Sequence, residues 1–175
     1  TMVSQYARKT ADIRPTVWVS LDSAGALQTR EQTQDERLAQ VIPPKGEYRL
    51  RVIAFAEPFE MPKAEQFGGG MQEMTRVLLE VVDGPGKGKQ TTLLCSFAVS
   101  KRSNLGKIYG ATVGLPEAGD DWDPVAMLNK EFVAYLQPSK NVDDNGKPKG
   151  TDCSWDTVAR VGGETEAAQA EALWA

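Results

Sequence analysis

The sequence has no histidine. That absence excludes Ser-His-Asp and Cys-His catalysis and every zinc site that uses an imidazole. Cysteine is scarce: Cys95 and Cys153 are the two present. They cannot form a four-thiolate zinc site and do not make a disulfide framework, so a reducing, cytoplasmic compartment is expected. No run approaches the roughly 18 apolar residues of a membrane-crossing helix, so no membrane segment is expected. The stretch Thr1-Met2-Val3-Ser4-Gln5 lacks a basic region followed by an apolar one, so no signal peptide is expected either. Positive charge is also short. Lys and Arg total 20 against 24 Asp and Glu, a net charge of −4. Phosphate binding needs local positive charge, so this balance speaks against nucleic acid unless the cations are segregated along the chain.

What is present suffices for one domain with tails. The chain has 175 residues, of which 41% are apolar, enough for a core. Residues 1–44 read as an N-terminal arm. Within it, Thr16 to Leu21 fits a strand, and the polar stretch Asp22 to Gln40 fits either a short helix over Gln34 to Val41 or a flexible arm. Pro43-Pro44 closes the arm. Residues 45–161 read as a β-domain and 162–175 as a C-terminal tail.

Alternation carries the strand assignments. In Glu47 to Ala56, Tyr48, Leu50 and Val52 share one face, and Glu47, Arg49 and Arg51 share the other. A Gly- and Pro-rich loop spans 57–72. Strand two covers about Glu73 to Asp83 and strand three Gln90 to Ser100, joined by an Asp-Gly-Pro-Gly turn. Ser103-Asn104-Leu105 can cap a short helix that reaches about Val113 and is stopped by Gly114 and Pro116. Asn129 to Gln137 is a fourth strand and Trp155 to Val161 a fifth. The order is β-β-β-α-β-β. The expected fold is therefore mainly β: an OB-like five-stranded Greek-key barrel with one short helix between strands three and four, plus the N-terminal arm.

Cations and aromatics cluster on these elements. Arg49, Arg51 and Arg76 lie on strands one and two, and would form one basic stripe on the outer face if those strands pair. Lys87 and Lys89 sit in the turn after Asp83, as phosphate contacts or as solubilising residues. Lys101 and Arg102 precede the helix and Lys107 lies in it; this is either an anion-binding helix start or a polar connection. Single-strand binding combines such a groove with aromatic stacking platforms. Phe55, Phe59, Phe67, Phe97, Tyr109 and Trp155 are available, although core burial is the better reading for any one of them. Phe97 and Phe132 are expected in the core, whereas Phe59 and Phe67 occupy the Gly/Pro-rich loop.

Two acidic stretches invite a metal. Asn141, Asp143, Asn145, Gly146 and Asp152 partly fit a calcium loop, but strands flank them, and a long hairpin loop with an Asn-Gly turn is favoured. Its lysines, Lys140, Lys147 and Lys149, are better read as phosphate contacts. Asp120, Asp121 and Asp123 fit a solvated acidic loop better than a nuclease centre. The tail carries Glu164, Glu166, Glu171 and Trp174. It reads as a frayed Ala-rich helix or as a segment that occupies a basic groove or recruits a partner.

A run of residues then resembles a known family. It comprises Gly46-Glu47-Tyr48, Leu78 to Lys89 with its Glu-Val-Val-Asp-Gly-Pro hairpin, Ser103 to Lys107, Val113-Gly114-Leu115, and Leu128 to Phe132. These look like phage and prophage proteins, first catalogued as a domain of unknown function, that are regarded as OB-fold single-stranded DNA-binding proteins. The resemblance covers about residues 45–161. Where that family often has glycine before the lysine, this chain has Asn129.

The resemblance implies sequence-tolerant, non-catalytic binding of single-stranded DNA in phage replication or recombination, in the bacterial host cytoplasm. Arg49, Arg51, Arg76, Lys87, Lys89, Lys101, Arg102 and Lys107 would track the backbone, with Lys140, Lys147 and Lys149 as further contacts. Phe59, Phe67, Tyr109 and Trp155 would stack on bases. No catalytic residue, metal or cofactor is expected. Replication or recombination proteins are partners the tail could reach, and a homo-oligomer is compatible with the reading. The competing expectation is an OB-like protein-interaction module, a virion or replisome adaptor without nucleic-acid affinity.

Overall fold

The alternation that begins at Tyr48 holds until Val52, and then breaks. In the computed structural model, which describes residues 16–117 and 121–161, this segment is the central strand β3 (Gly46–Ala56). Leu50 and Val52 point into the main core, with Arg49 exposed on the other side. The pairing of β3 with β5 (Met71–Val81) shifts register between Val52 and Ala54. A β-bulge of this kind inserts one residue and exchanges the two faces. Phe55 therefore joins the main core, and Ala54 and Ala56 join a smaller cluster with Trp18 and Leu78. One strand thus serves two hydrophobic clusters.

The other elements in chain order are β1 (Val17–Leu21), β2 (Leu27–Glu31), α1 (Gln34–Ala39), β4 (Phe59–Pro62), β6 (Gln90–Ser96), α2 (Asn104–Thr112), β7 (Glu131–Pro138) and β8 (Thr151–Ala159). All strand pairings are antiparallel and belong to one sheet. β3 pairs with β5 along one edge. Along its other edge it pairs first with β7 and then, at Phe55 and Ala56, with β1. The order β7-β3-β5-β6 is that of a Greek key. β8 follows on the outside of β7, so β6 and β8 are the two ends of a five-strand run. They meet through a side-chain hydrogen bond of 2.7 Å between the hydroxyls of Thr91 and Thr151, and no ladder pairs β6 with β8 among the described residues. Helix α2 buries Leu105, Ile108 and Tyr109 into the same core.

Several sequence expectations need revising. Within the segment read as an arm, residues 17–31 form a hairpin that pairs with β3, and residues 34–39 form the short helix. Strand β2 was not expected, because all five of its residues are exposed and no alternation marks it. Strand β4 lies in the stretch read as a loop; it continues β3 beyond Glu57-Pro58 and pairs with the first residues of β5. Strand three ends at Ser96 rather than Ser100, and the last strand begins at Thr151 rather than Trp155. The helix start agrees with the sequence: Ser103 caps α2 by accepting from the Gly106 amide at 3.0 Å. Asn129 adopts φ 64°, the left-handed region that glycine usually fills and asparagine tolerates best among the rest. Residues 1–15, Asp120 and the tail residues Glu164, Glu166, Glu171 and Trp174 lie outside the described residues. Among those described, no helix is long and apolar enough to cross a membrane.

Candidate nucleic-acid interface

The outer face of β5 and β6 carries Met74, Arg76, Leu78 and Glu80 opposite Ser96, Leu94, Thr92 and Gln90. Leu94 is exposed. Arg76 is half-buried, and its guanidinium lies 4.7 Å above the centroid of Phe59 in β4. The contact follows from register: Phe59 faces Met74, two residues before Arg76 on the same face. A cation over an aromatic face is attracted by the ring quadrupole. Arg76 has no carboxylate partner among the described residues. Burial, and secondarily the charge of Arg37 in α1, lower its pKa from the ordinary arginine value. An arginine at this depth stays protonated. Arg76 thus holds a positive charge against an aromatic face, with the charge of Arg37 acting on it as well. Met71 and Phe67 are exposed near this end of the sheet, with Phe67 65% accessible.

The other predicted residues divide into groups. Arg49 and Arg51 lie on the outer face of β3, as the stripe requires, but both bind Glu131, at 2.7 Å and 3.0 Å. Hydrogen bonding from Arg51, followed by Arg49, holds the Glu131 carboxyl below its usual range against the opposing effect of burial. Glu80 sits opposite Arg51 as well. The stripe is therefore interrupted by carboxylates, and Arg76 is set apart from it.

Lys87, Lys89, Lys140, Lys147 and Lys149 are all exposed. Their two loops share one end of the sheet, because the β6 and β8 starts that follow them meet at Thr91 and Thr151. This end is remote from Phe59, which lies where β6 finishes, across Met74. In the second loop Asp143 uses one carboxylate oxygen to accept from the Asn145 and Lys147 amides, so it serves the turn itself. No group of three potential metal ligands gathers among the described residues.

Lys101 and Arg102 are exposed and follow β6 at the Phe59 end. Lys107 lies 3.7 Å from Asp156. Tyr109 is only 6% exposed and meets Trp122 edge-on at 6.5 Å, so its ring is committed to the core rather than offered to a base. Trp155 is half-buried and packs against the main core. Phe97, expected in the core, packs against it between Phe55 and Trp122, and Phe132 is fully buried.

Sequence reasoning missed Arg37. Nothing local marks it; its charge acts on Arg76 from α1, and the chain after α1 is tied to β6 where the Val41 amide donates to the Gln90 carbonyl at 2.8 Å. No family model matches the chain, and no curated protein matches it.

Proposed function

We propose that this chain binds single-stranded nucleic acid, DNA in the first instance, on the outer face of β5 and β6. Its centre would be Arg76 and Phe59. The observation that carries the reading is a half-buried arginine lying on an aromatic ring without a carboxylate partner among the described residues. A phosphate at Arg76 with a base on Phe59 or Phe67 would use both features. Such a site has no base-specific donor pattern, so it would be sequence-tolerant.

The strand run β6-β5-β3-β7-β8, with α2 between β6 and β7, supports an OB-like barrel closed at the β6–β8 seam. In that architecture the face of the second and third strands and the adjoining loops bind oligonucleotides. Here that face is β5 and β6, and the adjoining connection between β3 and β5 holds Phe59, in β4, and Phe67. A place in phage replication or recombination rests on the sequence resemblance. The adaptor reading draws on one observation, the neutralisation of Arg49 and Arg51 by Glu131.

Anisotropy of a labelled oligo-dT distinguishes the two. The wild-type chain should bind at about 50 mM salt and weaken with added salt, because counterions are released when phosphates are neutralised. Arg76→Ala should cost about 1.5–3 kcal/mol, the worth of a hydrogen bond to a charged group. Phe59→Ala should cost about 1–3 kcal/mol, the worth of a stacked base. No binding at low salt, or binding indifferent to both substitutions, would refute the site.

A further inference from the structure

A second groove lies between α2 and the end of β8, and none of its lining residues belongs to β4, β5 or β6. It is shallow and open to solvent, with a volume of about 430 Å³. Gly110, Leu115 and Val158 make its apolar floor, and Lys101, Lys107 and Arg160 line it. No carboxylate lines it among the described residues; Lys107 pairs with Asp156 at 3.7 Å, outside the lining. Leu115 is 46% exposed, so part of the floor faces water.

We propose that segment 162–175 of the same chain docks in this groove. Three features select that occupant. The described chain ends at Val161, one residue beyond Arg160, so the segment starts at the lip of the groove. Its charges are complementary: it carries Glu164, Glu166 and Glu171 and no lysine or arginine. It also supplies apolar side chains for the floor, Leu173 and Trp174 above all. Gly162-Gly163 gives the backbone freedom to turn back. The extended reach of such a segment is about 50 Å at 3.3–3.6 Å per residue, far more than the groove requires. Tethering raises the local concentration of the segment to about the millimolar range, so modest contacts suffice. The groove shares no residue with the Arg76–Phe59 contact, so failure of the docking would say nothing about nucleic-acid binding there.

The test uses the full chain with a nitroxide at Ala172→Cys, and reads amide broadening by NMR. Broadening should concentrate at Gly110, Leu115 and Val158 and spare Thr92 and Leu94. It should vanish at about 0.5 M salt, where surface charges are screened within a few ångströms. It should also vanish in Lys101→Glu with Arg160→Glu, whose amide dispersion reports in the same spectrum whether the chain is folded. If that variant fails to fold, the salt titration on the native chain decides. Broadening elsewhere, or broadening that survives salt, overturns the proposal. Broadening transferred from a labelled chain to an isotope-enriched, unlabelled one also overturns it, since the occupant would then belong to a second copy.

Discussion

Replacing Gly106 by alanine sets two effects against each other. Alanine is favoured over glycine in a helix by about 1 kcal/mol, so propensity alone predicts a more stable protein. The surroundings predict the reverse. A Cβ at Gly106 would lie 1.9 Å from the Ser100 carbonyl oxygen and 2.6 Å from the Ser103 hydroxyl. The first of these is backbone, so no rotamer change relieves the overlap. Segment 100–103 must move away from α2, and the Ser103 hydroxyl must give up its position. That hydroxyl accepts from the Gly106 and Ser100 amides at 3.0 Å and 2.9 Å and donates to the Ala98 carbonyl at 2.7 Å. Losing the cap costs about 1 kcal/mol. Losing the two further bonds costs about 1 kcal/mol each. The propensity gain offsets one of these three, which leaves about 2 kcal/mol of destabilisation. In a domain of this size that lowers Tm by about 4–8 °C. Urea unfolding should show a lower midpoint with an unchanged slope. An alanine variant as stable as the wild type, or more so, would refute the packing argument, because the sign itself is at stake.

Glu131→Gln should flatten the acid limb of the stability profile. The Glu131 carboxyl is held below its ordinary value, so its contribution is complete above the unfolded pKa of 4.5 and disappears as pH falls through the depressed folded value. Urea midpoints between about pH 3 and pH 7 test this; parallel profiles for the two proteins would contradict it. At the alkaline end, burial raises both Cys95 and Cys153 to about 12 from an ordinary 9.0. A raised folded pKa gives stability that is whole below 9.0 and fades as pH climbs towards 12. The double alanine variant should lose that alkaline dependence, and native thiols should react with a thiol reagent at least about tenfold more slowly than denatured ones at neutral pH. Equal rates in the two states would show that the thiols are not shielded.

The sequence shows an element clearly where burial is one-sided. Tyr48, Leu50 and Val52 alternate because β3 lies between core and solvent there, and Ser103 announces its helix because a cap is a local interaction. Ile53 is different: the bulge beside it is set by the register of β5, and no residue in β3 marks it. β2 has no buried residue, so composition carries no trace of it, and β4 is masked by Pro58 and Pro62 in a stretch that reads as loop. The candidate site divides along the same line. Arg76 stands out as a cation on a strongly apolar strand. Its partnership with Phe59 needs the β4–β5 register, and the influence of Arg37 comes from a residue 39 positions earlier in the chain, on a separate helix. Tyr109 resembled a surface aromatic because a helix start rich in cations surrounds it in sequence, whereas its own face of α2 is the one that packs inward.

The loose junction between β6 and β8 leaves the spacing of these two end strands adjustable. A backbone ladder would fix the spacing of those two strands at one value, and changing it would break several amide bonds at once. A single hydroxyl pair, Thr91 with Thr151, gives up about 1 kcal/mol when it parts. As far as hydrogen bonding is concerned, the curvature of β5 and β6 can therefore relax at little cost. If the proposed nucleic-acid binding holds, such a surface would follow strands of differing path while keeping Arg76 in place.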